Sequence, residues 1–377
     1  MKGLCSNMKQ GQPRQSGLEL YRVIVMLLII AHHYVANSAV WNMAFSQLWT
    51  VRSVSVLLFG AWGKTGINCF LLITGYFMCE SKIKLIKYVK LILQVIFYNV
   101  GIYLAFVLTG VETFSIKQAI KMALPINSVS TGFTSAYLIF FLLIPFLNLL
   151  LHAMNEKQHL LLVLLLLFVY TVMGTIPSFE VVMNYVSWFS VLYVVAAYFR
   201  LYPKTIFENT KLWAFLSLAC FVVSCASVVG TIWCVAFLSK GHVYFFVQDS
   251  NKLLALCTAV TSFLFFKNWK LRYVPFINTA GACAFGVLLI HASSDAMRQW
   301  LWGDFLRNTE WFYSSWMPIH AVVSVLMVYA VGMVVDLFRV RFLERPLMKV
   351  WDKIFPTLER QRKKLVRFLC VKLQIEE

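Results

Sequence analysis

Charge is what this sequence of 377 residues has least of. Asp, Glu, Lys and Arg together make up 13% of it. A soluble domain carries roughly 25%, so the chain has too little charge to coat a water-facing surface. Acidic residues are scarcer still, 16 against 34 Lys and Arg. The nine cysteines contain no CxxC pair and no His-paired metal spacing, and most fall in apolar runs, where a thiol acts as a small apolar side chain. Neither a disulfide framework nor a metal site is therefore expected. A cleavable signal peptide is not expected either. The first apolar run carries Arg22, His32 and His33, a poor core for a signal and a better retained span. No repeat, Pro-rich linker or low-complexity tract divides the chain.

Apolar residues supply 60% of the sequence, and they gather in runs rather than spreading evenly. Crossing roughly 30 Å of hydrocarbon takes about 20 helical residues, and backbone groups in that layer find no water, so spans of this length must be helices. Ten runs qualify, near 20–38, 54–78, 88–111, 134–152, 159–176, 185–201, 212–238, 251–267, 275–292 and 319–338. The expected fold is an all-α polytopic membrane protein with about ten transmembrane helices. Residues 1–19 form a short tail, 20–338 the membrane domain, and 339–377 a basic tail. About 25 of the 34 Lys and Arg fall on the side that holds both tails, and about 7 on the other. The positive-inside rule then places both termini in the cytoplasm, as an even number of spans requires. The basic tail suits anionic lipid headgroups better than nucleic acid.

Ionisable residues inside spans are costly and mark function by default. The first span holds Glu19, Arg22, His32 and His33, the second Lys64, and the ninth ends on His291, followed by Ser293, Ser294 and Asp295. Arg22 and His33 lie eleven positions apart. At about 100° per residue the two project within roughly 20° of each other, about 16 Å apart along the axis, while His32 points some 80° away from Arg22. One face thus carries a cation near one leaflet and a titratable base nearer the other. Taken alone, the pattern equally fits Arg22 as a snorkelling anchor paired with Glu19 and His33 as a packing hydrogen-bonder.

Leu18-Glu19-Leu20-Tyr21-Arg22, followed by apolar residues up to His33, resembles the opening of the acyltransferase-3 family of membrane acyltransferases. That family is marked by a basic residue, ten intervening residues and a histidine. Gly66-Ile67-Asn68-Cys69-Phe70-Leu71-Leu72-Ile73-Thr74-Gly75-Tyr76 is similar to its Gly-Val-Asp-x-Phe-Phe-x-x-Ser-Gly-Tyr, with Asn68 for the common Asp and Thr74 for Ser. Lys87-Tyr88-Val89-Lys90 resembles its Arg-x-x-Arg, and Tyr137-Leu138 with Pro145 its fourth-span pattern. Leu288-Leu289-Ile290-His291 resembles its Tyr-Leu-x-His, and Glu344-Arg345-Pro346 its closing Glu-Lys-Pro.

The resemblance implies transfer of an acyl group, commonly acetyl from acetyl-CoA, to a glycan or lipid-linked sugar, in a protein of the cell (cytoplasmic) membrane. Acyl-CoA, the sugar acceptor and membrane lipids are then the expected partners, and nucleic acid is not. His33 is the expected general base and Arg22 the donor clamp. Lys84, Lys87 and Lys90 form a basic mouth for the CoA phosphates, though plain anchoring at the inner surface explains them as well. His291, Lys64, Asn68, Thr74, Tyr76 and Glu19 are expected on the acceptor side or in support. Lys64 suits either a transition-state cation or a buried ion pair. A glycan or lipid flippase and a non-catalytic membrane component of glycan assembly remain alternatives. Against the flippase, the chain shows no two related halves with paired broken helices.

Overall fold

The computed structural model describes residues 15–82, 84–126, 132–179, 181–355 and 360–361. Most of the N-terminal tail and about half of the basic C-terminal tail, expected to meet anionic lipid headgroups, lie outside the described residues. Among the described residues there is no strand, and every one of the ten apolar runs is helical. In chain order the helices are α1 (Ser16–Ala36), α2 (Val40–Phe45), α3 (Val51–Gly60), α4 (Gly63–Met78), α5 (Leu85–Leu108), α6 (Ile116–Ala123), α7 (Phe133–Ala153) and α8 (Glu156–Leu167). They continue as α9 (Tyr185–Leu201), α10 (Thr205–Glu208), α11 (Thr210–Leu238), α12 (Leu253–Asn268), α13 (Pro275–His291), α14 (Asp295–Gln299), α15 (Asn308–Trp311) and α16 (Met317–Arg339).

Among the described residues seven helical segments are long and apolar enough to cross a membrane, or eight if α13 and the helical stretch after it count as one bent span. That pair bends by 98° just past His291. Two further runs form apolar helices too short to count, α9 and α12. The second run is continuous in sequence but breaks between Gly60 and Gly63. The last helix carries on through a π-helical turn, Val340–Glu344, to residue 355, so the first part of the basic tail extends the tenth run.

Polarity decides which helices face lipid. α11 exposes Phe215, Leu218, Phe221, Val222 and Val223, and α8 exposes Leu161, Leu164 and Leu165. Bare apolar side chains of this number belong against acyl chains. α9 is the opposite case, with Trp188, Phe189, Leu192, Tyr193, Ala196 and Ala197 fully buried, as expected of a helix apolar all round and enclosed on all sides. α1 stands at the centre, packed against α3, α4, α12, α13 and α16. Close approach depends on small residues: a Cβ on Gly63 would overlap the His32 ring, and one on Gly281 would overlap the Glu19 carboxylate.

Polar staples fix the register. Asn68 on α4 donates through Nδ2 to the Ser250 carbonyl (2.7 Å) and accepts from Trp188 Nε1 (2.8 Å), fully buried. Asp336 on α16 accepts from Tyr98 (2.7 Å) and Gln94 (3.3 Å) of α5 and from Arg339 Nε (2.8 Å). Arg339 also donates to Glu344 (2.8 Å), which in turn pairs with Lys90 (3.4 Å).

Candidate active site

α1 ends in two adjacent histidines that the fold treats differently. His32 sits against Gly63, and its Nδ1 lies 2.7 Å from the Gly60 carbonyl. That carbonyl is one of the last of α3 and has no intrahelical partner, so Nδ1–H is the donor. His33 makes no such commitment: its Nδ1 is buried with no hydrogen-bond partner among the described residues. The His291 ring stands 5.0 Å from it, centroid to centroid, tilted by 55°. Nδ1 of His291 is held by the Val287 carbonyl at 2.6 Å, leaving Nε2 buried and without a partner among the described residues. A carbonyl accepts, so His291 carries its proton on Nδ1 and presents a lone pair at Nε2. Two imidazoles 258 positions apart in the chain are therefore packed together, each with a buried ring nitrogen that has no partner among the described residues.

The His33 ring opens onto a cavity of about 670 Å³, within the range of small-molecule sites, and His291 stands buried behind it. His32 and His33 both line it, together with Lys64, Tyr185, Ser293, Ser294, Asp295 and Arg298. The roughly 100° between the two adjacent histidines does not keep His32 out, because the cavity wraps around the end of α1. Lys64 lies within hydrogen-bond distance of the Tyr185 hydroxyl (2.6 Å) and 5.2 Å from its ring centre. Its partner is a phenol rather than a carboxylate, so its charge is not neutralised by that contact. Arg298 donates to Asp295 (2.7 Å) and to the Ala292 carbonyl (3.4 Å). Lys64, Arg298, His32 and His291 all lie within electrostatic reach of His33.

Arg22 belongs to the other end of α1. It pairs with Glu19 at 2.6 Å, half-buried, as the anchor reading has it. Yet Tyr137 of α7 lies within its electrostatic reach and beside Thr74 of α4. Three residues singled out on three separate spans thus gather there. Thr74 also donates to the Phe70 carbonyl (2.9 Å). Tyr76 is further along α4, under the Arg200 guanidinium at 5.1 Å and with Lys267 at 6.0 Å. Lys84 and Lys87 are exposed at the start of α5, and Lys90 is engaged by Glu344. The fold therefore places Arg22, Thr74, Tyr76 and the lysines away from the histidine cavity, brings His33 and Lys64 together in its wall, and packs His291 behind His33. Asn68 reaches neither place and acts as a staple.

Three elements were not read from the sequence. Arg298 stands seven positions after His291 beyond a sharp bend, and nothing local signals its return to the cavity. Tyr185 begins a buried helix and looks like core. Asp336 is different, since an ionisable residue inside the tenth run is itself a signal.

This is a multi-pass membrane protein with a cavity lined by His32 and His33 and by the cations Lys64 and Arg298. The profile of the acyltransferase-3 family, described as an acyltransferase domain, matches residues 15–336. The chain belongs to that family and is a membrane acyltransferase. No curated protein and no solved structure gives a match.

Proposed function

We propose that the chain moves an acyl group, acetyl first of all, from acyl-CoA to a hydroxyl of a cell-surface polysaccharide or lipid-linked glycan, with His33 as general base. The observation that carries this reading is the His33 imidazole, with an uncommitted nitrogen beside His291 in a cavity that also holds Lys64 and Arg298.

The topology that serves this chemistry has ten spans, counting α9, α12 and the bent α13 unit, with both termini cytoplasmic in the cytoplasmic membrane. Ion pairs support the alternation. Arg200–Glu80, Lys204–Glu156 and Lys90–Glu344 each join segments that it puts on the cytoplasmic side. Acyl-CoA then approaches from the end of α1 that carries Arg22. The guanidinium fork suits phosphate, and the exposed Lys84 and Lys87 add point charges at the mouth. An extended CoA arm along α1 brings the thioester toward His33, about 16 Å further on.

At the cavity, His33 accepts the proton of the acceptor hydroxyl as its oxygen attacks the thioester carbonyl. The tetrahedral oxyanion forms among Lys64 and Arg298, where fixed positive charge is most effective. Collapse breaks the C–S bond, and the thiolate takes the proton from the His33 imidazolium. The products are the sugar ester and free CoA. General-base assistance of this kind is worth about 10²–10⁴-fold. His291, with its proton held by Val287, packs against the His33 ring and fixes its orientation.

Labelled acetyl-CoA supplied to membranes containing wild type, His33→Ala or His32→Ala tests the reading. Label in extracted glycan should vanish with His33→Ala and persist with His32→Ala at equal protein level. Normal labelling by His33→Ala removes the base assignment, and no labelling by wild type removes the activity.

A further inference from the structure

Between α5 and α7 the chain makes a short helix, α6, whose surface is divided in three. Its start is tied down. The Ser115 side chain accepts from Gln118 N–H, the Tyr103 hydroxyl of α5 donates to the Ser115 carbonyl (3.0 Å), and Ser115 N–H donates back to that hydroxyl (2.8 Å). At about 100° per residue, Gln118 and Met122 share one side, Lys117 and Lys121 a second, and Ile116 and Ile120 a third. Met122 is buried, and Gln118, Lys121 and Met122 line the histidine cavity. On the far side Ile116 is 70% exposed and Ile120 58%, with Phe114 and Leu124 bare on either flank.

A row of four large apolar side chains turned away from the protein is out of place in water. It continues the bare surface of α5, where Leu104 and Leu108 are exposed at the same end of the bundle, and α5 is one of the membrane-crossing helices. Lys117 and Lys121 lie beside the apolar row, where cations of an interfacial helix meet anionic headgroups. We infer that α6 is seated in the headgroup–acyl boundary of the leaflet at the histidine end of α1, so that this wall of the cavity is held by lipid and the cavity mouth opens beside the bilayer. For the acceptor, which rests on the function proposed above, the sugar head of a lipid-anchored glycan then enters the cavity while its anchor stays in the leaflet.

Photo-crosslinking reads the helix without reference to activity. Benzoylphenylalanine at Ile120, in nanodiscs of phosphatidylethanolamine and phosphatidylglycerol, should form lipid adducts on illumination, and the same probe at Met122 should not. Adducts absent at residue 120, or equal at both positions, overturn the interfacial seat. The acceptor arm compares a membrane-extracted polyprenyl-linked glycan with the same glycan released from its anchor by mild acid. Ile116→Asp with Ile120→Asp should raise KM for the anchored glycan at least tenfold and leave KM for acetyl-CoA and transfer to the released glycan unchanged. An equal loss on both glycans overturns the lipid-side entry. No transfer by wild type to either glycan would sink the proposed function, while the adducts would still report the seat of α6.

Discussion

Asp336→Asn should destabilise the protein by about 3 kcal/mol, the lower end of the cost of breaking a buried ion pair. The Asp336 carboxylate is almost wholly buried and accepts from Tyr98, Gln94 and Arg339. Hydrogen bonds to a charged group are worth about 1.5–3 kcal/mol each, and they do not add. Asn keeps the shape and one acceptor, so no cavity forms, but Arg339 loses the more deeply buried of its two counter-charges. Its remaining bond to Glu344 (2.8 Å) holds the cost below the upper end of the range. The same lesion can be approached from α13, because a Cβ on Gly286 would overlap the Asp336 carboxylate. Gly286→Ala should therefore cost about 1–3 kcal/mol, as overpacking does. The two changes disturb one contact, so together they should cost clearly less than their sum. Chemical denaturation of the purified protein in mixed micelles, run as a double-mutant cycle, measures all three values. A loss under about 0.5 kcal/mol for Asp336→Asn, the size of an ordinary surface change, would show that the network does not bind α5 to α16. Strict additivity would refute the shared contact.

Two further predictions follow from the site and its scaffold. Lys64→Met should lower kcat for acetyl transfer by about 10²–10³, the effect of removing one oxyanion donor, while Tyr185→Phe should cost much less; steady-state kinetics in nanodiscs distinguishes them. Asn68→Asp restores the commoner family residue yet should destabilise, because the Ser250 carbonyl would face a carboxylate oxygen and lose its donor, at about 1–3 kcal/mol; thermal unfolding in detergent shows whether the melting point falls.

The helices were legible because hydrocarbon demands them: each of the ten runs is helical. The interruptions were harder to see. The break at Gly60–Gly63 carries no proline, and the bend after His291 follows an unremarkable Ala-Ser-Ser stretch. Short helices α2 and α6 fall between runs, where hydropathy is silent. Arg22 and His33 were readable from spacing within one helix, and the pairing of Arg22 with Glu19 followed from i,i+3 geometry. The meeting of His33 with His291 was not, since contacts between distant helices leave no local periodicity. Arg298 was counted as a loop charge for the same reason.

The proposed reaction divides labour along α1, with donor binding at Arg22 and proton transfer at His33. Steady-state transfer from acetyl-CoA by Arg22→Lys and His33→Gln tests it most directly. Lys keeps the charge beside Glu19 but loses the two-pronged fork, so KM for acetyl-CoA should rise about tenfold, equivalent to about 1.4 kcal/mol, with kcat nearly kept. His33→Gln should lower kcat by about 10²–10⁴ with KM nearly kept. If His33→Gln instead retained kcat, or if both variants moved the same constant, that division would be contradicted.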